Sequence, residues 1–349
     1  MIDVDNPTAP ADAEALIIAL SRCRTLHEHG RYAEALPLAR ACLMQAKTLG
    51  DHRLQFRALT ALGHVLRASG DFTAALDTLT EALTLADDAD SRAKAWNNIG
   101  LLFLSGSAWA LAIECFYKIT TQRVLARTTD AYQAHINIAL CYLYLDDVKN
   151  GLPEARQALK REPPNLADDE PHNYVLLRYT FVQLALKGNR IRRAEIQRRA
   201  DEAAACAARH PNPRIDIWAA LIKGSLQAAY GPREAGILQL EAALAQTQAV
   251  PELTTDALGC LVEAEKLAGR PARALHYLKQ WIAHLYQDAG MQATQKLGIC
   301  DIWRIGENLY EQWHELGGEA LPAPQPPSTP PPLPPAFRQN LIDWIQQTW

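Results

Sequence analysis

Long apolar runs, a basic field and paired cysteines are what this sequence lacks. No stretch of its 349 residues approaches the roughly 18–20 apolar residues that a membrane-spanning helix needs. The start, MIDVDNPTAPADAEAL, is acidic and has neither the basic leader nor the long apolar core of a signal peptide. These absences predict a cytoplasmic protein with no membrane partner. Lys and Arg number 35 against 39 Asp and Glu, for a net charge of −4, so no overall basic field points to nucleic acid. The seven cysteines (Cys23, Cys42, Cys115, Cys141, Cys206, Cys260, Cys300) include no CxxC pair. Several replace Ala or Leu on apolar helix faces, so they read as reduced, buried small hydrophobes. What the chain has in quantity is apolar side chains, 48% against 21% charged. That is too apolar for disorder, and the length suggests about two domains.

The stretch ALGHVLRASGDFTAALDTLTEAL, residues 61–83, has good helix composition yet contains two glycines, each costing about 1 kcal/mol against Ala in a helix interior. Gly70 reads as the left-handed residue that ends one helix, and Asp71 as the N-cap of the next. Gly63 then faces the second helix, where the lack of a Cβ lets the backbone carrying Ala75 approach, with Phe72, Leu76 and Leu79 sealing the pair. The stretch is a helical hairpin.

The same layout returns along the chain. Gly30, Tyr32, Ala35 and Cys42 stand where the first hairpin has Gly70, Phe72, Ala75 and Ala82. Later copies carry Trp96, Gly100, Phe103, Trp109, Ala112 and Phe116, and then Ala139, Tyr142, Ala155 and Ala158. Gly188 with Ala194, Gly224 with Gly231 and Ala242, and Gly269 with Ala274 and Leu278 complete seven copies at a period near 40 residues. The large–small pairs Leu62-Gly63, Ile99-Gly100 and Ile138-Ala139, the G-[DR]-[YF]-x-x-A-L turn and the late Ala resemble the tetratricopeptide repeat (TPR), over roughly residues 14–285 and most closely over 55–160. The period exceeds the family's usual 34, as in the longer-helix variants of bacterial signalling regulators and kinesin light chains.

The resemblance implies an all-α fold, a right-handed superhelix (α-solenoid) of about seven helical hairpins. The expected layout is a flexible N-terminus (1–12), repeats (13–288), a capping helix (289–318), a Pro-rich linker (319–335) and an amphipathic C-terminal helix (336–349). A final helix covering the last repeat is the usual end of a solenoid. In the last segment Phe337, Leu341, Trp344 and Ile345 form one apolar stripe, and a helix of about 12 residues is marginal alone. It is expected to dock on its own superhelix, a second copy or a partner, so homo-oligomerisation through the cap or the tail is a partner expectation.

Searching for chemistry yields fragments. There is no phosphate-binding GxxxxGK[ST] and no GxGxxG. HELGG at 314–318 lacks the second His of a zinc protease. His27 and His29 have no third ligand in view, and Cys206 with His210 is two ligands at best. The arginines of NRIRRAEIQRRA, 189–200, suit either a phosphate strip or a solvated helix face, and Asp201 and Glu202 offset them. No catalytic residue, metal or cofactor is expected, and the chain reads as a non-enzyme.

In a TPR superhelix the first helix of each pair lines the concave side. Phase from the large–small pair places Arg57, His64, Lys94, Asn97, Asn98, Gln133, Asn137, Tyr179 and Gln183 on that inner face. Asn98 and Asn137 share one phase in successive repeats, and Asn offers donors and an acceptor to a peptide backbone. Peptide-receiving family members use asparagines in this phase in that way. The expected function is a non-catalytic scaffold or regulator that binds an extended peptide or partner segment in its groove. The alternative is a sensory or oligomerisation region of a bacterial cyclic-dinucleotide signalling protein whose output domain is absent, since no GGDEF, HD or GYP motif occurs.

Overall fold

In the computed structural model the described residues are 12–188, 191–287, 289–296 and 300. The expectations for the flexible N-terminus, the Pro-rich linker and the C-terminal stripe (Phe337, Leu341, Trp344, Ile345) lie outside them. The described chain is all-α, a solenoid of seven helical hairpins. Their helices are α1 (Ala13–Glu28) with α2 (Tyr32–Leu49), α3 (His52–Ala68) with α4 (Phe72–Thr84), α5 (Ala89–Ser105) with α6 (Trp109–Thr121), and α7 (Asp130–Tyr144) with α8 (Val148–Arg161). After the short α9 (Leu166–Asp169) come α10 (Pro171–Gly188) with α11 (Arg193–Arg209), α12 (Pro213–Tyr230) with α13 (Arg233–Gln246), and α14 (Thr254–Leu267) with α15 (Pro271–Gln287). A last helix, α16, spans Ala289–Lys296.

The hairpin turn predicted from Gly70 and Asp71 is a three-residue device used five times. Its middle residue is left-handed: Gly30 (φ 70°), Gly70 (φ 81°), Ser107 (φ 56°), Asp146 (φ 55°) and Gly269 (φ 68°). The following N–H closes back on the helix in each, from Arg31 to the Leu26 carbonyl (2.9 Å), Asp71 to Leu66 (3.0 Å), Ala108 to Phe103 (2.9 Å), Asp147 to Tyr142 (2.8 Å) and Arg270 to Glu265 (3.0 Å). This closure satisfies a carbonyl that the helix end leaves open. Ser107 and Asp146 adopt the conformation at a cost of about 1–2 kcal/mol that glycine avoids. Gly231 has φ −128° and is not such a turn residue. Aspartates start the helices: the carboxylates of Asp12, Asp51, Asp71, Asp88 and Asp147 each accept a backbone N–H of the first turn. Each such cap contributes about 1 kcal/mol.

Small residues set the spacing within a hairpin. A Cβ on Gly63 would stand 2.5 Å from Leu79 Cδ2, and one on Gly100 would stand 2.5 Å from the Phe116 ring. In α13, a Cβ on Gly236 would meet backbone, 2.5 Å from Ala228 N and 2.7 Å from Gly224 O. Phe72, Ala75, Leu79 and Ala82 are buried on the second helix, and Leu76 is half-buried.

The chain divides into two compact units. The first holds residues up to Ala134 together with Ala289–Cys300, and the second runs from His135. The boundary falls within α7. In the first unit α1, α3 and α5 pack side by side. The described part of the expected capping helix belongs to this unit. Helix α16 packs on α4 and α5, and its Thr294 hydroxyl donates to the Gly106 carbonyl. The Cys300 thiol lies 3.8 Å from the Ser107 carbonyl. In the second unit α8, α10, α12 and α14 follow one another in contact.

Candidate functional site

The first helices of the hairpins carry the residues picked out by phase. Each unit is built from its own set.

In the first unit, α3 contributes Arg57, which is exposed, and His64, which is half-buried. The His64 ring centroid is 5.9 Å from that of His27 on α1. Desolvation, then the charges of Arg67, His27, Lys94 and Arg24, hold the His64 imidazole below its ordinary pKa. It is therefore neutral at pH 7 and sits in a cationic field. Helix α5 contributes Lys94, exposed, and one turn later Asn97 and Asn98, both buried. Asn97 Nδ2 donates to Gln133 Oε1 at 3.4 Å, and Gln133 Nε2 lies 3.3 Å from the Tyr132 hydroxyl. Asn98 is 3% exposed, and its Nδ2 has no hydrogen-bond acceptor among the described residues. A buried amide donor left open in this way carries a cost of about 1–3 kcal/mol.

In the second unit Asn137 is buried on α7, in a different unit from Asn98. Tyr179 and Gln183 on α10 are buried and engaged with the neighbouring first helices. Gln183 Nε2 donates to Ser225 Oγ on α12 at 3.1 Å. The Tyr179 ring stacks on Trp218, with centroids 6.5 Å apart and an interplanar angle of 26°, and its hydroxyl is 3.9 Å from Cys260 Sγ.

Between these rings lies a residue that the sequence reading missed. Asp256, in the first turn of α14, is 4% exposed. Its Oδ1 accepts from the Tyr144 hydroxyl at 3.0 Å, and its Oδ2 accepts from Trp218 Nε1 at 3.2 Å. Desolvation pushes this carboxyl up to about 6, against the hydrogen bonds from Trp218, Tyr144 and Tyr179 and the charge of Arg214. Burial, then the Asp256 charge, pushes the Tyr144 and Tyr179 phenols well above their usual range. Burial likewise pushes the Cys260 thiol up to about 12. The available signal was a carboxylate within the apolar run of TTDALGCLVEAEKL. Its partners, Tyr144 and Trp218, stand 112 and 38 residues away.

The other fragments have structural employment. His29 Nδ1 is 2.7 Å from the Thr25 carbonyl at the end of α1. Cys206 Sγ lies 3.7 Å from the Ala167 carbonyl, and His210 faces Asp168 at 3.3 Å. In the arginine run, Arg198 and Arg199 both pair with Glu202, while Arg193 lies over the Tyr230 ring and donates to its carbonyl. All seven cysteines are buried, and none is in a disulfide. Among the described residues no group of three or more His, Cys, Asp or Glu side chains is placed to hold a metal ion, and no helix is long and apolar enough to cross a membrane.

Residues 14–88 match the family model of the tetratricopeptide repeat. Among solved structures the chain is similar to a Rap protein crystallised with competence and sporulation factor, at 12% identity over 96% of this chain and 98% of that one, with a TM-score of 0.56. It also aligns with a tetratricopeptide repeat protein from Parabacteroides merdae ATCC 43184 (13% identity, 88% and 100% coverage, TM-score 0.46) and with the apo form of RapI (12%, 86% and 86%, 0.47). None of the curated proteins compared with the chain matches it. At such identity the first structure speaks for shared fold alone. The opening hairpins, residues 14–88, thus match the tetratricopeptide repeat, and the same hairpin device recurs along the described helices that follow.

Proposed function

We propose that this protein is a non-catalytic scaffold whose first helices bind an extended peptide or a segment of a partner protein. One observation carries the reading: Asn98, buried on the first-helix row, keeps an amide donor without an acceptor. A peptide backbone presents a carbonyl at every residue and supplies that acceptor without dictating side chains. Asn137 occupies the matching phase of the next repeat, in the second unit. The exposed Lys94 and Arg57, with the cationic field at His64, would favour a segment carrying acidic side chains on the first unit. The similar Rap structure was solved in complex with competence and sporulation factor, a precedent for a bound factor on this fold.

The test is a peptide array probed with the full chain and with Asn98→Ala. Loss of one buried hydrogen bond to a ligand lowers affinity by about tenfold. Peptides held by the wild type and released by the variant, with an unchanged circular dichroism spectrum, support the reading. Equal retention by both proteins sinks it.

A further inference from the structure

Among its described residues the second unit buries its ionisable groups in pairs, with one exception. Arg178 lies between Glu162 (2.7 Å) and Glu202 (3.0 Å). Glu265 faces Arg273 at 2.9 Å and Arg270 at 3.7 Å. His135 faces Glu154 at 2.6 Å. Asp256 is as deeply buried as these, yet its hydrogen bonds come from the Trp218 indole and the Tyr144 and Tyr179 phenols, and no described Lys, Arg or His nitrogen lies within ion-pair distance. Buried charges are normally paired.

A purely structural contact would not need the charge. Asn at this position would accept from the Trp218 indole through its Oδ1 and donate to the Tyr144 hydroxyl oxygen through its amide, with nothing ionised. The carboxylate adds a negative charge that no described cation pairs with directly, and a lone pair on each oxygen. Its own helix shows the complementary case. Asp256, Cys260 and Glu263 fall at i, i+4 and i+7 and so share one face of α14. At the Glu263 end a resident cation is present, Lys187, whose Nζ lies 2.7 Å from Asp146 and 3.7 Å from Glu263. Despite desolvation, these acids hold the Lys187 ammonium above its ordinary pKa. At the Asp256 end aromatic rings stand instead. Arg214, whose field reaches Asp256, has its Cζ 6.0 Å from the Trp218 ring centroid and is paired with Glu252. A carboxylate beside aromatic faces is the combination that holds organic cations.

We propose that Asp256, with Tyr144, Tyr179 and Trp218, forms a binding site for an organic cation, a guanidinium or alkylammonium group, on the first helices of the second unit. The cation pairs with the carboxylate and lies against the rings. Tyr144 is half-buried while the other three are buried, so it is the entrance, and its hydroxyl yields Oδ1 as the cation arrives. A peptide arginine or lysine and a free polyamine share this chemistry. The site is independent of Asn98 and stands or falls without the peptide reading.

The experiment is isothermal titration of the full chain and of Asp256→Asn, its fold checked by circular dichroism. The probes are the peptide Ac-Ala-Ala-Arg-Ala-Ala-NH2, the same peptide with neutral citrulline for arginine, and spermidine. The wild type is expected to bind the arginine peptide or spermidine at least about tenfold more tightly than the citrulline peptide, and D256N to lose that preference. Preference for the arginine peptide alone assigns the site to a side chain of a bound segment, and for spermidine alone to a free amine. Equal binding of the two peptides without spermidine binding, binding of no probe, or a preference that survives in D256N overturns the proposal. Should D256N fail to fold, the wild type is compared from about pH 7.5 to about pH 5. Of the groups facing the site, burial pushes the Tyr144 and Tyr179 phenols and the Cys260 thiol above this range, whereas Asp256 titrates within it. Cation binding that weakens at the lower pH supports the site, and unchanged binding overturns it.

Discussion

The two units obey one construction rule and spend their inner faces differently. Both are hairpins closed by a left-handed turn residue and spaced by small side chains. In the first unit the described buried polar groups are neutral: Thr60, Asn97, Asn98 and Ser107, with Thr294 of α16. Its charged inner residues, Arg57 and Lys94, are exposed. In the second unit the described buried polar groups include Arg178, Asp256, Glu265 and His135, and bonds between side chains join α7 to α14, α10 to α12 and α12 to α14. The difference teaches that the repeat fixes where the first helices lie and leaves their facing side chains free to specialise.

The sharpest way to break the comparison is to remove the charge that ties α10 to its neighbours. Arg178→Ala leaves Glu162 and Glu202 facing a site with no guanidinium, and a loss of about 3–5 kcal/mol is expected in urea unfolding. No described buried charge of the first unit offers an equivalent target. Next come the glycines. Gly236→Ala drives a methyl into backbone atoms of α12, which cannot rotate away, and is expected to cost about 3 kcal/mol. Gly63→Ala meets the end of the Leu79 side chain, which can turn, and should cost about 1 kcal/mol. Equal losses would show that the two units are not packed by different means.

A smaller effect of opposite sign is expected at Asp256. Its folded pKa, about 6, lies above the ordinary 3.8. Between these values the folded state binds the proton that the unfolded state has released. Stability therefore falls as pH rises from about 4 to about 6 and stays lower above that. Two pKa units correspond to about 3 kcal/mol. Asp256→Asn is expected to recover about 1–2 kcal/mol of this at pH 7.5, after rearrangement of the Tyr144 hydrogen bond, and to show no such pH dependence. Thermal denaturation at pH 4.5 and 7.5 measures it. A variant less stable than the wild type at both values would show that the carboxylate is structural.

Much of the fold was legible because hairpins are local. Gly70 with Asp71, and Gly63 against Leu79, interact over a few to sixteen positions, and the pattern repeats. Ser107 and Asp146 hide the same turn behind non-glycine residues, yet their closures run from Ala108 to Phe103 and from Asp147 to Tyr142, in register with the glycine turns. The partners of the first-helix residues were not legible. Phase picked out Tyr179 and Gln183, but nothing near them in sequence announces Trp218 or Ser225, and nothing near Asp256 announces Tyr144. Such partners are chosen by how successive hairpins stack, which no local pattern records. The Asn98 phase was visible, whereas the open valence of its amide is a property of the packed interior.

The bond from Thr294 to Gly106 has a consequence for how the chain is made. It joins residues 188 positions apart within the first unit, so that unit is discontinuous in sequence. Synthesis delivers its hairpins first and its last helix only after every hairpin of the second unit has emerged. Domains generally fold as units from the N-terminus during synthesis, but this one stays incomplete until residues 289–300 arrive. Distant contacts of this kind also slow folding, because the loop must close before the contact rewards it. The first unit to begin folding is thus the last to be finished.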